Sequence, residues 1–448
     1  MAEKLVRRYG LLTSVCLVVG TVIGSGIFFR NDDVFRAVGG NMAMGIAAWV
    51  IGGIIALLFA YAFSTLASGD KEATGLTYFA EKMVGKKFGY MMSWYMGTMF
   101  LPAIAAVLAW VSGRFTTVLF GFDTDPVFSG ETYIFALFYL ILIYAMNELS
   151  PKLAEKFHVT CTFIKVVPLI AMGIIGTIVG LVNGTTLGNI TDGTYEYVDG
   201  NPFFAALIAT VFAYLGWDIV ISLSKEIKDP KKNLPKALVL GMGIVVTIYV
   251  AYFIGLFSAA PVATLTSGGG VMNAFSNIFG SAAGTILFVF IIISCLGTLN
   301  GLVMASGRMF YAISSNNSGP RQEIFSQLDR ATKMPANSMV ISLVIIACWM
   351  LINAGNQMGI YGDFFFDIPG LVPISFKAFM IPIFVGMMIK EKRLDVFKRF
   401  ISPGLSILAS IFLIGIIIYN QGTGVLIFII VFAVIMGIGL LLENPKSK

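Results

Sequence analysis

An apolar run from Leu11 to Phe29 is interrupted near its middle by Gly24-Ser25-Gly26. If that run crosses a membrane, the break falls where lost backbone hydrogen bonds are hardest to tolerate. Hydrocarbon has no partner for a free N–H or C=O, so irregular backbone survives at that depth only when buried in protein or lining a water-filled cavity. The outer half of such an opened helix offers free N–H groups and a positive dipole end. The inner half offers free carbonyls, and together they suit a ligand carrying both an anion and a cation. Three charges also lie inside apolar stretches: Lys165 between Ile164 and Val166, Asp218 just after Phe212-Ala213-Tyr214-Leu215-Gly216-Trp217, and Lys377. A lysine at the bilayer centre costs roughly 2.5 to 3.5 kcal/mol on insertion scales. Lys165 therefore needs a partner or a role and should not face lipid. Asp218 and Lys377 are candidates to pair with each other, Asp218 chiefly as a structural charge and Lys377 without an assigned role.

The elements that must position these residues are membrane helices. The chain is 57% hydrophobic and 12% charged, with a mean hydropathy of +0.87, far from the balance of a soluble domain. At about twenty residues per span, twelve are read: 11 to 36, 42 to 68, 88 to 120, 131 to 147, 158 to 182, 202 to 225, 234 to 260, 280 to 314, 336 to 354, 362 to 389, 401 to 419 and 423 to 442. Of the 30 Lys and Arg, all but Arg30, Arg36, Arg114, Lys165 and Lys377 then fall on one side, in alternate loops and both ends. Short cytoplasmic loops retain basic residues, which predicts that both termini are cytoplasmic. The net charge of +6 follows from this topology and is no sign of a nucleic-acid partner. The first span is preceded by basic residues like a signal peptide, but its apolar character continues through Ile27-Phe28-Phe29, so an uncleaved anchor is expected. Cys16, Cys161, Cys295 and Cys348 all fall in spans without a CxxC pair, suggesting packing rather than a disulfide framework or a metal.

No soluble domain is visible, so organisation lies within the membrane. If spans one to five and six to ten are halves of opposite orientation, the sixth should be broken as the first is. It carries Gly216 beside Asp218 at the corresponding place. The expected fold is an all-α polytopic membrane protein of twelve transmembrane helices. Residues 1–389 would form a core of two inverted five-helix repeats with helices 1 and 6 broken, and residues 390–448 would hold helices 11 and 12 and the tail.

Several ordered stretches carry a resemblance. They are Gly20-Thr21-Val22-Ile23-Gly24-Ser25-Gly26-Ile27-Phe28, the FAYxGW stretch from Phe212 with Lys225-Glu226-Ile227-Lys228-Asp229-Pro230 after it, and Asn147, Lys152, Thr162 and Lys165-Val166-Val167-Pro168-Leu169. Gly297-Thr298-Leu299-Asn300-Gly301 with Ser306-Gly307-Arg308 completes the set. Together they resemble the amino acid/polyamine/organocation transporters, specifically bacterial relatives of the L-type and cationic amino acid transporters such as the alanine-serine-cysteine exchangers. Departures are Gly75-Leu76 in place of a glycine pair, His158 in place of a glutamine, and an atypical tenth helix from Asp363 to Lys377.

The resemblance implies a leucine-transporter-like fold and a zwitterionic amino acid as substrate. Its carboxylate would meet the Ser25 hydroxyl and the N–H groups around Gly26, and its ammonium the carbonyls of Val22, Phe212 and Leu215, with Gly24, Ala213 and Gly216 opening the helices. Phe212 would gate the site, and Leu302, where relatives handling arginine have a tryptophan, favours small neutral substrates over a stacked cation. Lys165 would occupy the place of a sodium ion in related carriers, tying helix five to helix one near Gly24 and to helix eight near Thr298. Plainer readings are that Gly20 and Gly24 form a small-residue packing face, that Phe212 is a core aromatic, and that Lys165 is a structural cation. His158 reads as a loop hydrogen-bonding residue at a helix start.

The function so implied is sodium-independent exchange of small neutral L-amino acids such as alanine, serine or cysteine across the cell membrane. Proton-coupled symport, or transport of larger neutral or cationic amino acids or amines, are the alternatives. Substrate and lipid bilayer are the only partners implied; no cofactor or metal is, and oligomeric state stays open. A membrane-embedded enzyme would need clustered catalytic groups, yet there is one histidine, no HExxH and no GxxxxGK[ST]. A channel would need a continuous polar path, against which both helix breaks argue.

Overall fold

The computed structural model describes residues 6–443 apart from 25, 70–75, 123–128, 192–196, 198–200, 268–269, 281, 317, 363–367 and 422–423. Among the described residues the chain is helical throughout, the one β-bridge joining Tyr9 to Ile227. Among the described residues ten helices are long and apolar enough to cross a membrane, including Met42–Gly69, Gly130–Leu149, Pro230–Ala259 and Ala336–Gln357. Two of the twelve expected spans fail that length test for one reason: they are broken. In the first, Leu11–Val22 and Gly26–Ala37 are bent by 49° at the Gly24 region, and counted as one span they bring the total to eleven. In the sixth, the short helix Pro202–Ala213 ends in a turn, with only the four-residue helix Ile219–Ser222 and a 3₁₀ turn, Ser224–Glu226, beyond it.

Local chemistry starts the helices. Ser129 Oγ accepts the Thr132 N–H at 3.4 Å and Asn201 Oδ1 accepts that of Phe204 at 3.1 Å, each satisfying a free N–H of the first turn. Pro151, Pro202 and Pro230 each stand in a first turn, where a missing N–H does no harm. The fifth span begins at Pro151 rather than at residue 158, which moves His158 from the expected loop into the bundle. There it is buried, its Nε2 3.2 Å from the Cys16 carbonyl.

The outer faces carry large apolar residues. Leu137, Phe138, Ile141 and Leu142 on one helix and Ile429 and Ile430 on another are exposed, an apolar belt suited to lipid. Inside, Pro230–Ala259 packs against both Met42–Gly69 and Leu11–Val22, and Ala282–Ser306 packs against Leu101–Leu119 and Pro151–Ala171. Small residues allow this approach. Gly20 abuts Thr162 and His158, and Gly301 abuts Thr21, so the packing reading of Gly20 holds.

At one end of the bundle, Arg8 and Tyr9 donate their backbone N–H groups to the Glu226 carbonyl at 2.8 and 2.9 Å, and Lys228 returns one to Tyr9 at 2.8 Å. The Glu226 carboxylate is buried and shared by Arg308, which forms a direct ion pair with it, and by Arg8 at 3.5 Å. The pair ties the loop after the sixth span to the end of the eighth.

Candidate functional site

The two helix breaks lie against each other. Thr21 Oγ1 donates to the Gly216 carbonyl at 2.9 Å, and Tyr249 Oη lies 3.1 Å from the Val22 carbonyl and 3.2 Å from that of Ala213. One buried tyrosine hydroxyl thus spans the carbonyl ends of Leu11–Val22 and Pro202–Ala213, where helix geometry leaves acceptors free. Gly216 has φ of +107°, and a Cβ there would lie 2.8 Å from the Thr21 carbonyl oxygen, so both backbone freedom and close approach require glycine. Gly26 faces Ala213, whose Cα would lie 3.3 Å from a Cβ at that position. The structure therefore brings the two motifs separated by nearly two hundred residues into direct backbone contact.

Between the breaks is a cavity of about 80 Å³, room for several waters or a small organic zwitterion. Val22, Gly24, Gly26, Phe212, Ala213, Leu215, Gly216, Thr298 and Leu302 all line it, so every expected lining residue described is brought together. Ser25 lies outside the described residues. Thr21, Phe100, Ile104 and Pro369 also contribute walls that sequence reasoning missed. Phe100 closes the π-helical turn Met96–Phe100, an irregularity of a kind frequent at functional sites. The polar groups of the cavity come from the breaks and from Thr298, and the opposite walls are apolar. Such a division suits a ligand with charged backbone groups and a short side chain.

Lys165 stands behind the first break and is fully buried. Its ammonium donates to the carbonyls of Gly20 and Ile23, both at 2.6 Å, to that of Ser294 at 3.1 Å, and approaches Thr298 Oγ1 at 3.2 Å. Four oxygens from two helices converge on one point charge, an arrangement a cation of either kind would satisfy. Ser294 Oγ adds contacts of 3.2 Å to the carbonyls of Ile23 and Gly24, and Thr298 Oγ1 lies 3.1 Å from Gly20 O. Ser294 and Thr298 stand four apart, hence on one helix face, a spacing legible in the sequence. Tyr249 had a weaker signal: a mid-span tyrosine whose hydroxyl must find a partner.

Asp218 and Lys377 are both buried and act on each other's charge through space, yet no direct ion pair joins them. One carboxylate oxygen of Asp218 has no hydrogen bond, and Lys377 Nζ instead lies 3.9 Å from the centre of the Phe59 ring. The pairing read as a candidate from the sequence is not formed, because Lys377 points among the aromatic rings of Phe59, Trp217 and Phe376. Phe212 forms part of the cavity wall with the Arg30 guanidinium 4.4 Å from its ring centre on another side. No group of histidines, cysteines or carboxylates suited to a metal occurs among the described residues.

The fold has a known counterpart. MhsT, crystallised in complex with L-phenylalanine, superposes with a TM-score of 0.62 over 92% of this chain and 99% of its own at 15% identity, which establishes a leucine-transporter-like fold. The serine/threonine exchanger SteT of Bacillus subtilis is 27% identical over 91% of this chain and 90% of its own length. The human b(0,+)-type amino acid transporter 1 is 24% identical over 81% of this chain and 73% of its own. The amino acid permease family model matches residues 9–441, almost the whole chain, and the bundle with its paired helix breaks agrees with that match: the protein belongs to the amino acid permease family.

Proposed function

We propose that this chain is a sodium-independent exchanger of small neutral L-amino acids in the cell membrane, with both termini cytoplasmic and residues 1–389 as its transport core of two inverted repeats. The observation that carries the reading is Lys165, whose ammonium holds the carbonyls of Gly20 and Ile23 against Ser294 and Thr298. With a covalently tethered cation in that place, the first break is braced without a bound metal. The substrate carboxylate is assigned to Ser25 and the N–H groups around Gly26, and the ammonium to the carbonyls of Val22, Phe212 and Leu215. Those groups offer charge-assisted hydrogen bonds in a site of low dielectric constant. A cavity of about 80 Å³ with Leu302 in its wall supports a short side chain, and the serine/threonine exchanger among the relatives supports both the substrate size and the exchange mode.

Transport then requires the two ends of the cavity to open alternately as one part of the bundle rocks or gates against the rest, with Phe212 as lid. Purified protein in liposomes tests this directly. Uptake of labelled serine should require internal amino acid and should be equal in sodium and potassium buffers. Uptake that is strictly dependent on sodium would overturn the role of Lys165; uptake into empty liposomes driven by a proton gradient would replace exchange with symport.

A further inference from the structure

A second cavity, of about 270 Å³, lies beyond Phe212 and Leu215, which together with Pro369 are common to its wall and to that of the central cavity. It is bounded by Pro202–Ala213, Ile368–Lys390 and Ser402–Gln421, with Arg30 and Asp33 at one edge. Most of the wall is aliphatic, including Ile208, Leu413 and Ile414. Among the described residues three charges line it. Asp33 is already shared by Arg30 at 2.8 Å and Arg36 at 2.7 Å. Lys377 is different: it is only 5% exposed, lines the cavity, and makes no hydrogen bond or direct ion pair among the described residues, the buried Asp218 carboxylate acting on it only through space. The rings of Phe59, Trp217 and Phe376, with centres 3.9, 5.7 and 5.9 Å from Nζ, attract its charge but supply no acceptor for its three N–H donors. A buried ammonium without acceptors is costly, and a ligand that supplies them is correspondingly favoured.

We propose that this cavity is a second binding site, for a small organic carboxylate with a branched apolar tail, whose carboxylate accepts from Lys377 while the tail lies against Ile208, Leu413 and Ile414. No ammonium is required of this ligand, because Asp33 is occupied by two arginines. An occupant would brace Phe212 and Leu215 from behind and so slow the lid of the central cavity without entering it.

The probe is 4-methylpentanoate, added to the purified full-length chain and followed by calorimetry, with serine exchange measured in liposomes. Binding should be saturable, and inhibition of exchange should be noncompetitive with serine. Lys377→Met, which keeps the volume and removes the donors, and Ile414→Trp, which fills the cavity and keeps the lysine, should each weaken binding tenfold or more while the thermal unfolding midpoint shows each variant folded. The matching amine, 3-methylbutylamine, should not bind. No binding to the wild type at millimolar concentration would overturn the proposal, as would unchanged affinity in the two folded variants. Equal binding of the amine, or strict competition with serine, would also overturn it, the last placing the probe in the central cavity. A failure of the exchanger reading would show differently, as absence of serine exchange while the carboxylate still binds.

Discussion

Lys165 accounts for more of the candidate site than any other side chain. Its four oxygen partners are backbone and hydroxyl groups of the first and eighth spans, so its removal would leave the Gly20 and Ile23 carbonyls with only the neutral hydroxyls of Ser294 and Thr298 as partners. Each charge-assisted bond so lost is worth about 1.5–3 kcal/mol. Lys165→Ala should therefore still insert in the membrane, since an intramembrane charge is lost, but its serine exchange should fall more than tenfold. Full exchange activity in a normally inserted variant would remove the proposed role. At Gly26 the limit is steric: a Cβ would already lie 3.3 Å from Ala213 Cα, and two further methyl groups would take up space in the small cavity that Gly26 lines. Gly26→Val should abolish serine binding measured by calorimetry, and alanine methyl ester should compete far less well than alanine, because esterification removes the anion. Equal competition by the two would move the carboxylate elsewhere. For Phe212 the lid and core readings differ in what they spare. Phe212→Ala should reduce exchange several-fold with little loss of thermal stability, whereas a destabilised variant with normal exchange would make it a core aromatic.

At the scale of elements, the breaks are held together by few bonds. Tyr249 Oη is within hydrogen-bond distance of the last carbonyls of both Leu11–Val22 and Pro202–Ala213, and it sits on Pro230–Ala259, the helix that packs against the first span and Met42–Gly69. The hydroxyl can donate to only one carbonyl at a time, and that choice couples the two opened ends. Tyr249→Phe keeps the ring and removes the bridge. A loss of about 1 kcal/mol in stability is expected, with a larger relative effect on exchange, measured as unfolding midpoint against initial rate. If both change only in proportion, the hydroxyl is an ordinary buried hydrogen bond.

At the scale of the whole molecule, the cluster of Tyr9, Glu226 and Arg308 closes one end of the bundle, and the alternating-access reading requires that end to open. The Glu226 carboxylate is buried and paired with Arg308, and breaking such a pair from one side destabilises the arrangement that buries it by about 3–5 kcal/mol. Glu226→Gln should shift the population toward the state open at that end. In a chain whose only cysteine is Cys16, which is buried on the first span, maleimide labelling should quicken by tenfold or more. An unchanged labelling rate would mean that the cluster is a structural support that does not release during the cycle.

Residues near in the chain, or set by composition, were legible without the fold. The apolar runs determined a helical bundle in the membrane, because backbone groups in lipid must be satisfied within each segment. The same rule made Gly24 and Gly216 legible as breaks and Lys165 as a charge that must be paired, since each violates what lipid tolerates. Spacing could not say how far each break extends, and so twelve expected spans meet ten or eleven helices of full length. Only the tertiary structure decided which partners the violations find. Lys165 meets residues 20, 23, 294 and 298 across long stretches of chain, and no local pattern encodes that convergence. His158 passed from an expected loop to a buried contact with Cys16 because Pro151 starts its helix about two turns early. Lys377 and Asp218 look like partners when counted as opposite charges, and each feels the other through space, yet the ammonium lies on aromatic faces and toward a cavity instead of in a direct ion pair. Charge and hydropathy are properties of single residues and can be read in order; contacts between distant helices depend on packing angles and helix rotation, which only the folded bundle sets.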